Sequence, residues 1–121
     1  MAEIHAGSAS DFGPHTCRLV RVEGREVGVR WRDGRFFAYE NRCVHQGGPV
    51  CEGVVVGRVE QPLGPNAETL MPRMSEEHLH LVCPWHGWEY DLTTGEFAGD
   101  SSIRLHRYEV VQRGDDVYVV V

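Results

Sequence analysis

Two short segments constrain this chain more than anything else in it: Cys43-Val44-His45, followed by Gln-Gly-Gly-Pro, and Cys83-Pro84-Trp85-His86, followed by Gly-Trp. Each sets a thiol close to an imidazole within a glycine-bearing loop. Together they supply four metal donors. The arrangement is not that of a common zinc finger, which pairs Cys with Cys and His with His. One of each per segment leaves two readings. Either a single zinc ion takes all four side chains, or a two-iron, two-sulfide centre takes both thiolates on one iron and both imidazoles on the other.

A chain of 121 residues, 41% of them hydrophobic, has the size of one domain (1–121) with a modest core, which a bound metal centre would help to staple. The formal net charge is −6, from 18 acidic against 12 basic residues. Such a surface favours neither nucleic acid nor anionic lipid as a partner. No apolar run approaches the roughly 18 to 20 residues of a membrane span. The opening, Met-Ala-Glu-Ile-His-Ala-Gly-Ser, has neither the cationic region nor the apolar stretch of a secretory signal. These features predict a cytoplasmic chain. In that reducing compartment Cys17 and Cys51 are expected as free thiols rather than a bridge.

The pattern along the chain is one of short strands. Residues 1–14, rich in small residues, read as a flexible lead-in. Thr16 to Val22 is a strand, and Glu23-Gly24 turns into a second, Arg25 to Arg32, with Val27, Val29 and Trp31 on one face and charged residues largely on the other. Asp33-Gly34 is a two-residue hairpin signal, and Arg35 to Glu40 returns with Phe36, Phe37 and Tyr39. Val54 to Val59 is a β-branched strand, and 61–77, with three prolines, reads as an excursion. Leu79 to Val82 leads into the second ligand loop and Trp88 to Leu92 leads out. Ile103 to Gln112 and Val117 to Val121 form a last hairpin. No long segment carries a 3.6-residue apolar period. The fold class expected is all-β.

At the two ligand loops the chain resembles the Rieske iron–sulfur proteins, and most closely the small soluble Rieske ferredoxins of oxygenase systems. The resemblance spans roughly residues 15 to 121. It implies a base of antiparallel strands (16–40 and 93–121) with an inserted cluster-binding subdomain (41–92). It also implies one [2Fe–2S] cluster per chain, with Cys43 and Cys83 on the buried iron and His45 and His86 on the outer iron. Gly47, Gly48 and Gly87 let amides approach the sulfurs, and Pro49 and Pro84 stiffen the loops.

What the resemblance implies for function is a one-electron carrier, not itself an enzyme, between a flavin-dependent reductase and a terminal oxygenase. Docking onto a basic patch of such a partner suits the net charge. The alternative is a Rieske-type small subunit of a larger reductase, such as assimilatory nitrite reductase. An oxygenase in its own right would need a second, mononuclear iron domain for which little chain remains. A zinc-stabilised interaction module would be colourless.

Several departures and lesser features complete the reading. High-potential members carry a disulfide cysteine in each loop; here those positions are Gly48 and Trp85. The hydroxyl residue after the second-loop glycine is replaced by Trp88, while the family tyrosine matches Tyr90. A potential at the low end of the range of roughly −150 to +300 mV follows. The segment 46–82 is longer than small ferredoxins usually have, and Ala98 to Ser102 lacks the proline that often shields the cluster. His78 and His80 read as a solvated face rather than a metal pair. Trp85 and Trp88 are expected to pack under the ligand loops, and Arg42 and Glu52 to form an ion pair.

Overall fold

The computed structural model describes residues 2–60, 64–65, 71 and 73–121, without the side chains of 60, 73, 76 and 77. The expectation for 61–72 lies largely outside these residues. Among the described residues eleven strands run in order: β1 (Glu3–Ser8), β2 (Cys17–Val22), β3 (Arg25–Arg32), β4 (Arg35–Glu40), β5 (Val54–Glu60), β6 (Arg73–Val82), β7 (Glu89–Asp91), β8 (Glu96–Phe97), β9 (Asp100–Arg104), β10 (Arg107–Arg113) and β11 (Asp116–Val120). They form two antiparallel sheets, one ordered β1-β11-β10-β4-β3-β2 and the other β5-β6-β7-β8-β9. The fold is all-β, as expected. The first sheet is the base; the second, with the loops around it, is the lobe that carries both ligand segments.

Local chemistry explains the β2-β3-β4 meander. Glu23 and Gly24, and again Asp33 and Gly34, have positive φ at both turn positions (50° and 82°, 50° and 81°). That is the mirror-image turn whose twist suits two-residue hairpins. The registers follow, with Val22 opposite Arg25 and Arg32 opposite Arg35.

β3 then departs from a simple alternation, because both of its faces are covered. Val27 and Val29 are fully buried in the base core with Val22, Ala38, Val117 and Val119. On the opposite face, where charged residues were expected to meet solvent, Gly28 and Arg30 are buried as well. A second core lies on that side, built from Phe37, Tyr39, Val50, Cys51, Leu81, Tyr90, Leu92 and Leu105 together with Cys43 and Cys83. The Tyr39 hydroxyl donates to the Leu92 carbonyl at 2.7 Å and so ties the base to the lobe.

Four expectations are corrected. Residues 1–14 are not a loose lead-in: Glu3–Ser8 is a strand paired with β11, and Ala9 and Ser10 bond to Asp115. Its only large apolar residue is Ile4, and its partner lies at the far end of the chain, so composition concealed it. The lobe does not close at residue 92, because β8 and β9 belong to its sheet and extend it to Arg104. For the same reason Ile103 to Gln112 is not one strand. The chain leaves the lobe sheet at Leu105-His106 and enters the base as β10, with Leu105 N–H bonded to Gly95 O and Glu40 N–H to His106 O. Lastly, 73–77 is the start of β6, not part of an excursion.

Candidate metal centre

The two ligand loops are the same backbone device used twice. In the first, Cys43 N–H donates to Gly48 O and Gly47 N–H to Cys43 O, both at 2.8 Å. In the second, Cys83 N–H donates to Trp88 O at 2.8 Å and Gly87 N–H to Cys83 O at 3.0 Å. Each loop therefore reverses direction within five residues of its cysteine. Each needs a left-handed residue four positions on, which Gly47 (φ 77°) and Gly87 (φ 72°) supply. The histidines fall inside these reversals, His45 two and His86 three residues after the cysteine.

The loops face each other. Cys43 and Cys83 are buried (3% and 1% exposed) in the core between base and lobe, whereas His45 and His86 are exposed. The two imidazole centroids lie 5.0 Å apart. Gln46 Oε1 meets His86 Nε2 at 2.5 Å. Burial is the main cause raising the Cys83 thiol above the ordinary cysteine range, with Cys43 beside it adding to the rise. Gly48 has to be glycine for space: a Cβ there would stand 2.8 Å from Trp85 Cγ and 3.0 Å from Cys83 Sγ.

The surrounding side chains sort differently from the expectation that both tryptophans pack under the loops. Trp88 does: its indole stacks on His45 (4.4 Å, 7°) and on Phe97 (4.1 Å, 17°), an aromatic pile that holds the first imidazole from below. Trp85 is 57% exposed and, with Val44 at 50%, forms an apolar rim around the imidazoles. Tyr90 is wholly buried, with its hydroxyl 3.2 Å from Cys43 Sγ and accepting the Val44 N–H at 3.1 Å. Burial is the main cause raising its phenol pKa, and the contact with Cys43 adds to it, so the proton stays on oxygen.

Three residues that sequence reasoning passed over build the floor of the first loop. Asn41 accepts the Cys51 N–H at 2.8 Å while its amide donates to Glu26 (2.8 Å) and Glu52 (3.1 Å). Buried Arg30 donates through one nitrogen to the Cys51 and Gly53 carbonyls, each at 2.9 Å. Gly28 makes room, since a Cβ on it would lie 2.2 Å from Cys51 Cβ. A polar residue just before a ligand loop was the available signal for Asn41; Arg30 and Gly28 had none, because what covers them comes from distant chain.

Other expectations resolve as follows. Arg42 and Glu52 do not pair; Glu52 is taken by Asn41. His78 and His80 do not share a solvated face, because His80 is buried and bonded to Glu89 at 3.0 Å while His78 is exposed. Ala98 to Ser102 is no open loop beside the cluster: Asp100–Arg104 is β9, and Asp100 bonds Ser102. Cys17 and Cys51 are free thiols.

Two buried thiols on one side and two surface imidazoles on the other fit a centre whose two irons differ in ligation. Among the described residues no three His, Cys, Asp or Glu side chains converge as a single-ion site would require. The donors come as two pairs, thiols within and imidazoles without, the donor set that a two-iron centre of mixed ligation would take.

Comparison with known proteins agrees. The sequence profile of the Rieske [2Fe-2S] domain matches residues 3–109. Two human relatives are similar: apoptosis-inducing factor 3, 29% identical over 87% of this chain and 15% of its own, and a Rieske domain-containing protein, 31% identical over 78% of this chain and 50% of its own. The chain thus spans half or less of the curated relatives it matches. Among solved structures, a chain from the complex of reduced oxygenase and oxidized ferredoxin in carbazole 1,9a-dioxygenase superposes with a TM-score of 0.70 at 25% identity, covering 97% of this chain and 91% of that one. A protein assigned as the NADH-dependent nitrite reductase small subunit of Mycobacterium tuberculosis gives 0.74 at 16% identity, covering 98% and 93%. The chain belongs to the Rieske [2Fe-2S] domain family, and its cofactor is a Rieske-type [2Fe–2S] cluster.

Proposed function

We propose that this chain is a one-electron carrier in which Cys43 and Cys83 hold the buried iron and His45 and His86 the outer iron. The carrying observation is the split in burial. The thiols are shut in the core, and the imidazoles stand on the surface 5.0 Å apart inside an apolar rim of Val44 and Trp85. The bound cluster supplies one-electron redox chemistry. The protein's own part is to keep water from the thiolates, to fix the first imidazole on the Trp88–Phe97 stack, and to present both rings to a partner. In this reading the chain is a component of an oxidoreductase system and not an enzyme by itself.

The partner that the carbazole dioxygenase likeness supports is a terminal oxygenase; a flavin-dependent reductase as electron source is part of the proposal. The nitrite reductase likeness supports the second reading, a small subunit of a larger reductase. Among the described residues no helix is long and apolar enough to cross a membrane; a cytoplasmic setting without membrane or nucleic acid is part of the proposal. The midpoint potential belongs at the low end of the span of roughly −150 to +300 mV, because Trp88, stacked between His45 and Phe97, offers no hydroxyl to the cluster.

The test is paramagnetic resonance of the purified protein reduced with dithionite. The expected result is one [2Fe–2S] signal of mixed nitrogen and sulfur ligation, lost in Cys43→Ser and in His86→Ala. A colourless zinc protein, or a midpoint above about +150 mV, refutes the corresponding part. Copurification with a large haem-bearing reductase selects the second reading.

A further inference from the structure

The net charge of −6 conceals a local reversal beside the imidazoles. An open groove of about 940 Å³ runs along the base from the β2–β3 turn to the first ligand loop, and Arg21, Arg25 and Arg42 line it. All three are exposed, and among the described residues none has an ion pair, although the chain has six more acids than bases. Two carboxylates, Glu26 and Glu40, also line it. Glu26 is already engaged by the Asn41 amide at 2.8 Å. Arg42 lies over the first loop, with Nε 3.6 Å from where a Gly47 Cβ would be. The groove ends at Gln46, the residue in contact with His86. A second concavity shares Glu40, Arg42, Gln46 and Gly47 with the first and carries the surface on to Val44, His45 and Arg104.

Unpaired guanidiniums are good carboxylate receptors, since their planar forks match carboxylate geometry. We propose that this groove is the docking surface for the redox partner, and that the partner's contacting face is rich in carboxylates. The proposal rests on the carrier reading above and adds to it the sign of the partner's charge. Net charge alone argues for a basic partner face; the groove's own lining, three arginines against two glutamates, carries the opposite sign. Fields of this kind act over about one Debye length, roughly 10 Å at 0.1 M salt, so the nearest charges outweigh distant acids for a partner seated on the groove.

The experiment uses the reduced holoprotein and two small oxidants of opposite charge, ferricyanide and hexaammineruthenium(III). Each reduced protein gives one electron to one oxidant, leaving ferrocyanide or hexaammineruthenium(II). Raising salt from about 0.01 M to about 0.3 M is expected to slow the ferricyanide reaction roughly threefold or more and to speed the ruthenium reaction. The double variant Arg21→Gln/Arg25→Gln leaves the ligand loop untouched and loses most of that slope; adding Arg42→Gln reverses it. Arg18→Gln/Arg113→Gln removes the same charge from arginines paired with Asp11 and Glu3 and keeps the wild-type slope. Poly-L-glutamate is expected to inhibit the ferricyanide reaction of the wild type and not of the double variant. A wild-type slope of the sign set by net charge, or equal shifts in the two double variants, overturns the proposal. So does inhibition by inorganic pyrophosphate as strong as by poly-L-glutamate, which marks a small-anion site. Failure of the carrier reading is seen separately, as a protein with no reducible paramagnetic centre.

Discussion

Replacing Tyr90 by Phe removes the hydroxyl that bridges Cys43 Sγ and the Val44 N–H. The phenol oxygen accepts the Val44 N–H at 3.1 Å, which directs its own proton toward Cys43 Sγ at 3.2 Å. The ring is fully buried, so Phe keeps the packing and removes only the hydroxyl. A hydrogen bond to a charged acceptor contributes about 1.5 to 3 kcal/mol. With Cys43 as a ligand, as proposed, reduction would add one negative charge spread over the cluster, and this sulfur would feel part of it. Taking about 1 kcal/mol as the differential, and about 59 mV per tenfold for a one-electron couple, the midpoint falls by roughly 40 mV. The sign is fixed because losing a donor destabilises the reduced, more negative form. A spectroelectrochemical titration of both proteins measures the shift, with the paramagnetic spectrum as control that ligation is unchanged. A midpoint that rises, or moves by less than about 10 mV, shows that the phenol proton does not point at sulfur.

Three further outcomes are expected. Gly28→Ala drives a methyl to within 2.2 Å of Cys51 Cβ, so stability drops by about 3 kcal/mol or more; a denaturant midpoint equal to wild type refutes the close approach. Arg30→Met removes the donor shared by the Cys51 and Gly53 carbonyls. It is expected to cost about 2 to 4 kcal/mol and to hasten loss of cluster colour in urea, and colour retained at wild-type urea concentrations counts against a floor role. Burial pushes the Cys17 thiol up to about 11 and raises that of Cys51 as well. An unfolded thiol ionises near pH 8.5, so above that pH the unfolded state holds fewer protons and stability falls until about pH 11. Cys17 is only half-buried, so its share is no more than about 1 to 2 kcal/mol after screening. Denaturation of Cys17→Ala from about pH 8 to 11 checks this: a curve parallel to wild type refutes it.

Strands joined by local chemistry were legible in the sequence. Asp33-Gly34 dictates its hairpin from two residues, and the boundaries of β3 and β4 follow from it. The candidate ligands were legible for the same reason. Cys43 with His45, and Cys83 with His86, sit within three residues of each other, and their loops reverse on Gly47 and Gly87. Elements whose reason lies far along the chain were not legible. β1 depends on β11, more than a hundred residues later. The split at Leu105-His106 depends on which sheet offers a free edge on either side of it.

The amino-acid order alone determined that four donors stand in two glycine-hinged loops on an all-β frame, because those signals act over a few bonds. Only the tertiary structure decided that the thiols are buried and the imidazoles exposed, that Arg30 and Asn41 floor the first loop, and that three arginines of an acidic chain line one groove beside that loop. Burial and local field are sums over neighbours brought together by folding. No short stretch of sequence contains them.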